Sequence, residues 1–212
     1  MQYSTIAVLG GAGRTGLYLL QSLLQAGYEV KALVRHPGTF TFRHPHLTVI
    51  QGDALDYIAI DQLLEGTQAV LSTIGQRPGE PLVAGLLTTH LMKAMPVHQI
   101  SRYVLLAGIN VDVPADNKGP ETRKATQWMQ QTYPLVSNDR QLSYEMLAAS
   151  KLAWTMVRVP FIHFKPASGK VSIAVDDCPG NYVNAGDIAQ EMTHMLYNSS
   201  YIHQAPFLAG KS

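Results

Sequence analysis

Short apolar runs alternate with amphipathic stretches from one end of the 212 residues to the other. Ser4 to Leu9 is β-branched and apolar and stops at Gly10, which predicts a buried strand. Residues 14 to 27 place Leu17, Leu20, Leu23 and Leu24 at helical spacing and end on Gly27, a helix terminator. The same reading predicts strands over Tyr28 to Arg35, Leu47 to Gln51, Ala69 to Ile74, Arg102 to Ala107 and Ala153 to Val159, with a seventh over Lys170 to Val175. Between them it predicts helices over Ala54 to Glu65, Leu82 to Met95, Asn138 to Ser150 and Ala185 to Tyr197. Asn138 or Asp139 suits the cap of the third of these, and Asp187 sits where a carboxylate favours a helix dipole.

Strand and helix alternating at this rhythm imply right-handed βαβ units, hence an α/β fold with a doubly wound parallel sheet and helices on both faces. The strand runs lack polar alternation, as strands buried on both faces should. Residues 110 to 137 are the least regular part, and read as a surface excursion with one helix at about Glu121 to Thr132. The pattern resumes after them, so residues 1 to 212 are expected to form a single domain.

The first strand runs into Gly10-Gly11-Ala12-Gly13-Arg14-Thr15-Gly16 and then into the first helix. Gly11, Gly13 and Gly16 fit G-x-G-x-x-G; Gly10, Gly13 and Gly16 fit G-x-x-G-x-x-G. Small residues let the chain turn sharply, approach a pyrophosphate and pack the helix against the strand. The phosphate then meets unpaired N–H groups at a helix N-terminus. A strand before the glycines and a helix after them is the context this motif requires, although a glycine-rich turn without ligand has the same letters.

An NAD-selective site places Asp or Glu at the end of strand two, about 20 residues past the glycines. Arg35 stands there, no acidic residue accompanies it, and Arg14 supplies a second cation. A guanidinium suits the extra phosphate of NADP, so NADPH is expected over NADH. Asp53, after strand three, suits either the adenine edge or the N-cap of a helix starting near Leu55, with Ala54 beside it. Thr73-Ile74-Gly75 ends strand four, on the sheet edge where ligands lie, and Ala107 and Gly108 at the end of strand five are counted with it.

With these residues in place the chain resembles the atypical short-chain dehydrogenase/reductase family, in the NAD(P)H-binding branch that holds the biliverdin reductase B/flavin reductase and NmrA-like proteins. Further stretches carry the likeness: Val136-Ser137-Asn138-Asp139, then Glu145-x-Leu147-x-x-Ser150-x-Leu152-x-Trp154-Thr155-x-Val157-Arg158-x-Pro160, and Val183-Asn184-Ala185-Gly186-Asp187-Ile188-Ala189. The resemblance implies a Rossmann sheet of strand order 3-2-1-4-5-6-7, NADP across its edge, and the nicotinamide near Pro160, Phe161 and Ile162. It also implies reduction of flavins and related planar acceptors by NADPH.

One departure matters. The wider family uses a Tyr-x-x-x-Lys pair and a Ser. None of the 10 tyrosines has Lys four residues later; Tyr144 is the nearest in place, with Ala148 where Lys would stand. Ala107-Gly108-Ile109 replaces the Ser. Alcohol oxidation by that mechanism is disfavoured, because no residue set would handle the hydroxyl proton. Flavin or quinone reduction survives, because the cofactor carries the chemistry and the protein need only stack the rings. Tyr144, Phe161 and Phe164 are candidates for the stacking wall, with His163 and Arg140 for an anionic tail. The alternative is a non-catalytic NmrA-like redox sensor that acts through a protein partner.

Composition narrows the rest. Charged residues are 15%, against about 25% in typical domains. The net charge of +1 offers no field for nucleic acid or an anionic membrane. A single cysteine, Cys178, excludes an internal disulfide, and its carboxylate neighbours disfavour a reactive thiolate. No metal is expected, since His44-Pro45-His46 has no further ligand at metal spacing. The N-terminus lacks a leader's basic and apolar regions, and no run of 18 apolar residues occurs, so a cytoplasmic protein is expected. Part of the low charge is assigned to a self-association face, which admits a homodimer.

Overall fold

A computed structural model describes residues 4–211; Met1 to Tyr3, on which the reading of no leader partly rests, and Ser212 lie outside them. The chain runs β1 (Thr5–Leu9), α1 (Arg14–Gln25), β2 (Glu29–Val34), β3 (Leu47–Gln51), α2 (Tyr57–Leu64), β4 (Ala69–Ser72), α3 (Ala84–Val97), β5 (Arg102–Gly108) and α4 (Pro120–Thr132). It continues with α5 (Pro134–Ala148), β6 (Ala153–Val159), β7 (Phe161–His163), β8 (Val171–Ala174), β9 (Tyr182–Asn184), α6 (Ala185–His194) and β10 (Phe207–Gly210).

Eight strands form one sheet in the order β3-β2-β1-β4-β5-β6-β10-β8, and all but β8 are parallel to their neighbours. Alternation along β1 builds both layers. Ile6 and Val8 pack with Leu19, Leu20 and Leu23 of α1 and with Ile188 and Met192 of α6. Ala7 and Leu9 face the other way, onto Ile60, Leu63, Leu87, Leu91 and Leu147 of α2, α3 and α5. Successive side chains on a strand point to opposite faces, so a run with no polar position is what two buried faces demand.

The order expected for the first six strands is present, and the seventh position is corrected. That place belongs to β10, a strand the periodicity did not predict, which joins β6 in parallel. The predicted seventh strand is β8, which pairs antiparallel with β10 at the sheet edge. Phe207-Leu208-Ala209-Gly210 is four residues long and half small, too short to signal by itself. A second correction concerns α5, which begins at Pro134 rather than near Asn138. Asp139 therefore lies inside it and caps a different helix: its carboxylate accepts from the Ala84 and Gly85 amides, at 2.8 and 3.0 Å, at the start of α3.

The excursion is tied down more firmly than a surface loop. Arg158 of β6, wholly buried, pairs with Asp116 at 2.7 Å and donates to the Val111 and Ala205 carbonyls. Lys118, also buried, donates to the Ile109 and Val111 carbonyls and pairs with Asp112 at 2.6 Å. In the same way Asp187 holds the loop before β8, accepting from the Ser168 and Gly169 amides at 2.8 and 2.9 Å.

Candidate functional site

The C-terminal ends of the central parallel strands open on one cleft with two chambers. The larger has a volume of about 510 Å³ and the smaller about 250 Å³, and they meet at Gly108, Val159 and Pro160.

The glycine loop forms one wall of the larger chamber. Gly10 sits at φ +80°, where a side chain is strained, and a Cβ there would stand 2.9 Å from the Ile74 amide nitrogen. A Cβ on Gly16 would overlap the Gly10 carbonyl, so α1 rests directly on the loop. The Gly13 amide donates to the Gly10 carbonyl at 2.9 Å and Gly13 offers no side-chain cap. The first amides of α1 therefore have no intrahelical acceptor and are available to an anion. Of the predicted loop residues, Gly10, Gly13, Arg14 and Thr15 line the chamber; Gly11 packs on Leu20 instead, and Gly11, Ala12 and Gly16 are not among its walls.

Arg35, Asp53, Ala54, Thr73, Ile74, Gly75, Ala107, Gly108, Pro160, Ile162 and Phe164 also line it. The Arg14 guanidinium lies 3.9 Å over the Phe164 ring. Asp53 accepts from the Leu55 amide at 2.9 Å and closes a turn, whereas the cap of α2 is Asp56, which accepts from Ile58. The cap expected of Asp53 is thus made one turn later. Arg140 reaches the chamber as well, donating to the Ile74 carbonyl at 3.0 Å. Burial lowers its pKa, partly offset by Tyr103 and Asp139.

The fold supplies an acid that the sequence reading did not foresee. Arg35 donates both guanidinium arms to Glu80, at 2.9 and 3.0 Å, and lies 3.8 Å from Asp53. Glu80 is 45 residues away in sequence, on the loop after β4. The Gln76 amide folds that loop by donating to the Arg77, Glu80 and Pro81 carbonyls. Hydrogen bonds from Arg35 hold the Glu80 carboxyl below the usual carboxylate range.

Phe161 lines the smaller chamber, which alternation explains: along β7 it faces one chamber and Ile162 the other. Trp128 and Met129 of α4 line it too, together with Asn110 and Cys178. None of these four was singled out for this wall by the sequence, because α4 reaches the site only through tertiary packing. Burial pushes the Cys178 thiol up, and Asp177 adds to the effect. Tyr144 and His163 line neither chamber. Tyr144 packs edge-on against Trp154, ring centroids 5.8 Å apart, and His163 stacks on Tyr182 at 4.7 Å. Burial raises the Tyr144 phenol, the reverse of what a catalytic base needs. Among the described residues no group of three or more His, Cys, Asp and Glu side chains could hold a metal ion, and no helix is long and apolar enough to cross a membrane.

Residues 10–199 match the model of a protein family described as NAD(P)H-binding. The chain belongs to that NAD(P)H-binding family. The larger chamber fits such a group: free helix amides, a glycine cradle that a Cβ would fill, and cations on its rim. Among curated proteins, cinnamoyl-CoA reductase 1 of Petunia hybrida is 27% identical over 131 residues, 55% of this chain. Those residues span only 39% of that relative. Among solved structures, a short-chain dehydrogenase/reductase of Veillonella parvula in complex with NADP aligns at a TM-score of 0.84 and 15% identity, covering 100% of this chain and 96% of that one. ChuY, an anaerobilin reductase from Escherichia coli O157:H7, aligns at 0.82 and 18% identity, covering 99% and 98%. At these identities the structural likeness is one of fold.

Proposed function

We propose that the protein is an NADPH-dependent reductase of a flavin, quinone or similar conjugated acceptor, working by direct hydride transfer. The observation that carries this reading is the junction of the two chambers at Gly108, Val159 and Pro160, which sets a dinucleotide chamber against a smaller aromatic-walled one. When bound, the reduced nicotinamide supplies the hydride. Gly10, Gly13 and Thr15 hold the phosphates, while Arg35 and Arg14 favour the 2′-phosphate over a bare hydroxyl. Pro160 and Ile162 wall the nicotinamide end, and Phe161 with Trp128 stacks the acceptor and excludes water. The two aligned neighbours, one bound to NADP and one described as an anaerobilin reductase, agree with this assignment.

The missing Tyr-Lys pair and the raised Tyr144 phenol fit an acceptor that needs no protein acid. The test follows absorbance at the nicotinamide band with NADPH and, in turn, FMN, riboflavin and a quinone. Turnover above the uncatalysed rate with at least one is expected. Tight NADPH binding with no turnover of any acceptor defeats the reading and leaves the NmrA-like regulator in its place.

A further inference from the structure

The smaller chamber has a chemical character of its own. Its walls are apolar and aromatic, and two of them are held open to solvent: Trp128 is 50% and Phe161 71% exposed. Large apolar groups facing a concavity, not scattered over a surface, mark a binding site. Glu121, in the first turn of α4, is the one charged residue that lines it.

The nearby cations do not reach it. Lys118 is consumed by Asp112 and the Ile109 and Val111 carbonyls, and Arg158 by Asp116 and the Val111 and Ala205 carbonyls. Arg123 is turned onto the Lys118 carbonyl. An acceptor bearing a carboxylate or phosphate would face Glu121 with no positive charge among the residues that line the chamber, and like charges repel, less so where solvent screens them. Polar recognition comes instead from neutral groups. Asn110 is buried, lines the chamber, and donates its amide N–H to the Ser137 hydroxyl at 3.2 Å. Cys178 stays a thiol, because burial raises its pKa.

We propose that this chamber takes an uncharged planar acceptor, for which a para-quinone is the probe, and discriminates against anionic ones through Glu121. This rests on the reductase reading. In the reaction the C–H bond on the reduced nicotinamide ring breaks and its hydride adds to the quinone. The quinone's π electrons end on oxygen, which takes one proton from water, so quinone becomes hydroquinone as the cofactor becomes oxidised.

The experiment compares para-naphthoquinone with a ring-carboxylated para-naphthoquinone. The first readout is NADPH oxidation; the second is quenching of indole emission in NADP-loaded protein. Trp154, the other indole, is buried, so Trp128→Phe identifies the reporting signal. The expected result is at least tenfold higher kcat/KM for the uncharged quinone, saturable quenching by it alone, and loss or inversion of the preference in Glu121→Lys. Equal use of both quinones, with no change in Glu121→Lys, overturns the proposal. Selective quenching without NADPH oxidation supports the site and its charge preference while defeating the reductase reading. Turnover without quenching that depends on Trp128 keeps the reductase reading and removes the acceptor from this chamber.

Discussion

Arg35 illustrates how one residue's role depends on what folding places beside it. The sequence puts a guanidinium at the end of the second strand, where it suits a 2′-phosphate. The structure then occupies both its arms with Glu80. A phosphate taking Arg35 must displace that carboxylate and lie near its charge. The pair is part-exposed, with 30% and 39% of the two side chains accessible, so the competition is modest. An exposed pair contributes little, so Glu80→Gln is expected to tighten NADPH slightly relative to NADH. Arg35→Ala is expected to move the ratio the other way. Titration calorimetry with both cofactors decides it; an unchanged ratio in both variants removes Arg35 and Glu80 from cofactor selection.

Among the elements, α3 depends on a cap that α5 supplies. Asp139 accepts from two amides at the start of α3, although 54 and 55 residues separate them. Asp139→Ala is expected to cost about 1 kcal/mol, within the usual range for a lost cap, with Asp139→Asn costing less. Urea unfolding of the two variants measures this. Asp177 plays a similar part beside the smaller chamber. Burial would raise its carboxyl, but the Thr122 hydroxyl and the Gly119 and Cys178 amides hold it below the usual range. A carboxyl so lowered stabilises the fold above its ordinary pKa, and that contribution is lost as pH falls through the depressed value. Asp177→Asn is therefore expected to flatten the acid dependence of Trp128 emission, followed from neutral pH downward.

Across the whole molecule, Arg158 joins three distant parts of the chain. It lies in β6, pairs with Asp116 of the excursion, donates to Ala205 ahead of β10, and covers the Phe207 ring at 3.6 Å. Removing one member of a buried pair strands the other charge, so Arg158→Ala is expected to cost about 3–5 kcal/mol. Chemical denaturation measures the loss. Because β10 and the excursion are both released, near-ultraviolet circular dichroism should lose its aromatic signal near Trp128 at lower denaturant than in the parent.

What local pattern could decide, it decided here. Apolar runs without polar alternation specified strands buried on both faces, and glycines between a strand and a helix specified the tight turn on which α1 rests, because both signals are written in adjacent residues. The order of the first six strands came from the family resemblance that these motifs carry, and most residues expected at the cofactor site do line the larger chamber. Only the tertiary structure decided which strand fills the seventh place, since β10 is four residues whose partner lies far away in sequence. It alone brought Glu80 onto Arg35, Asp139 onto α3, and Trp128 to Phe161's chamber while leaving Tyr144 and His163 outside. Each of these is a long-range contact fixed by packing geometry, which spacing along the chain does not encode.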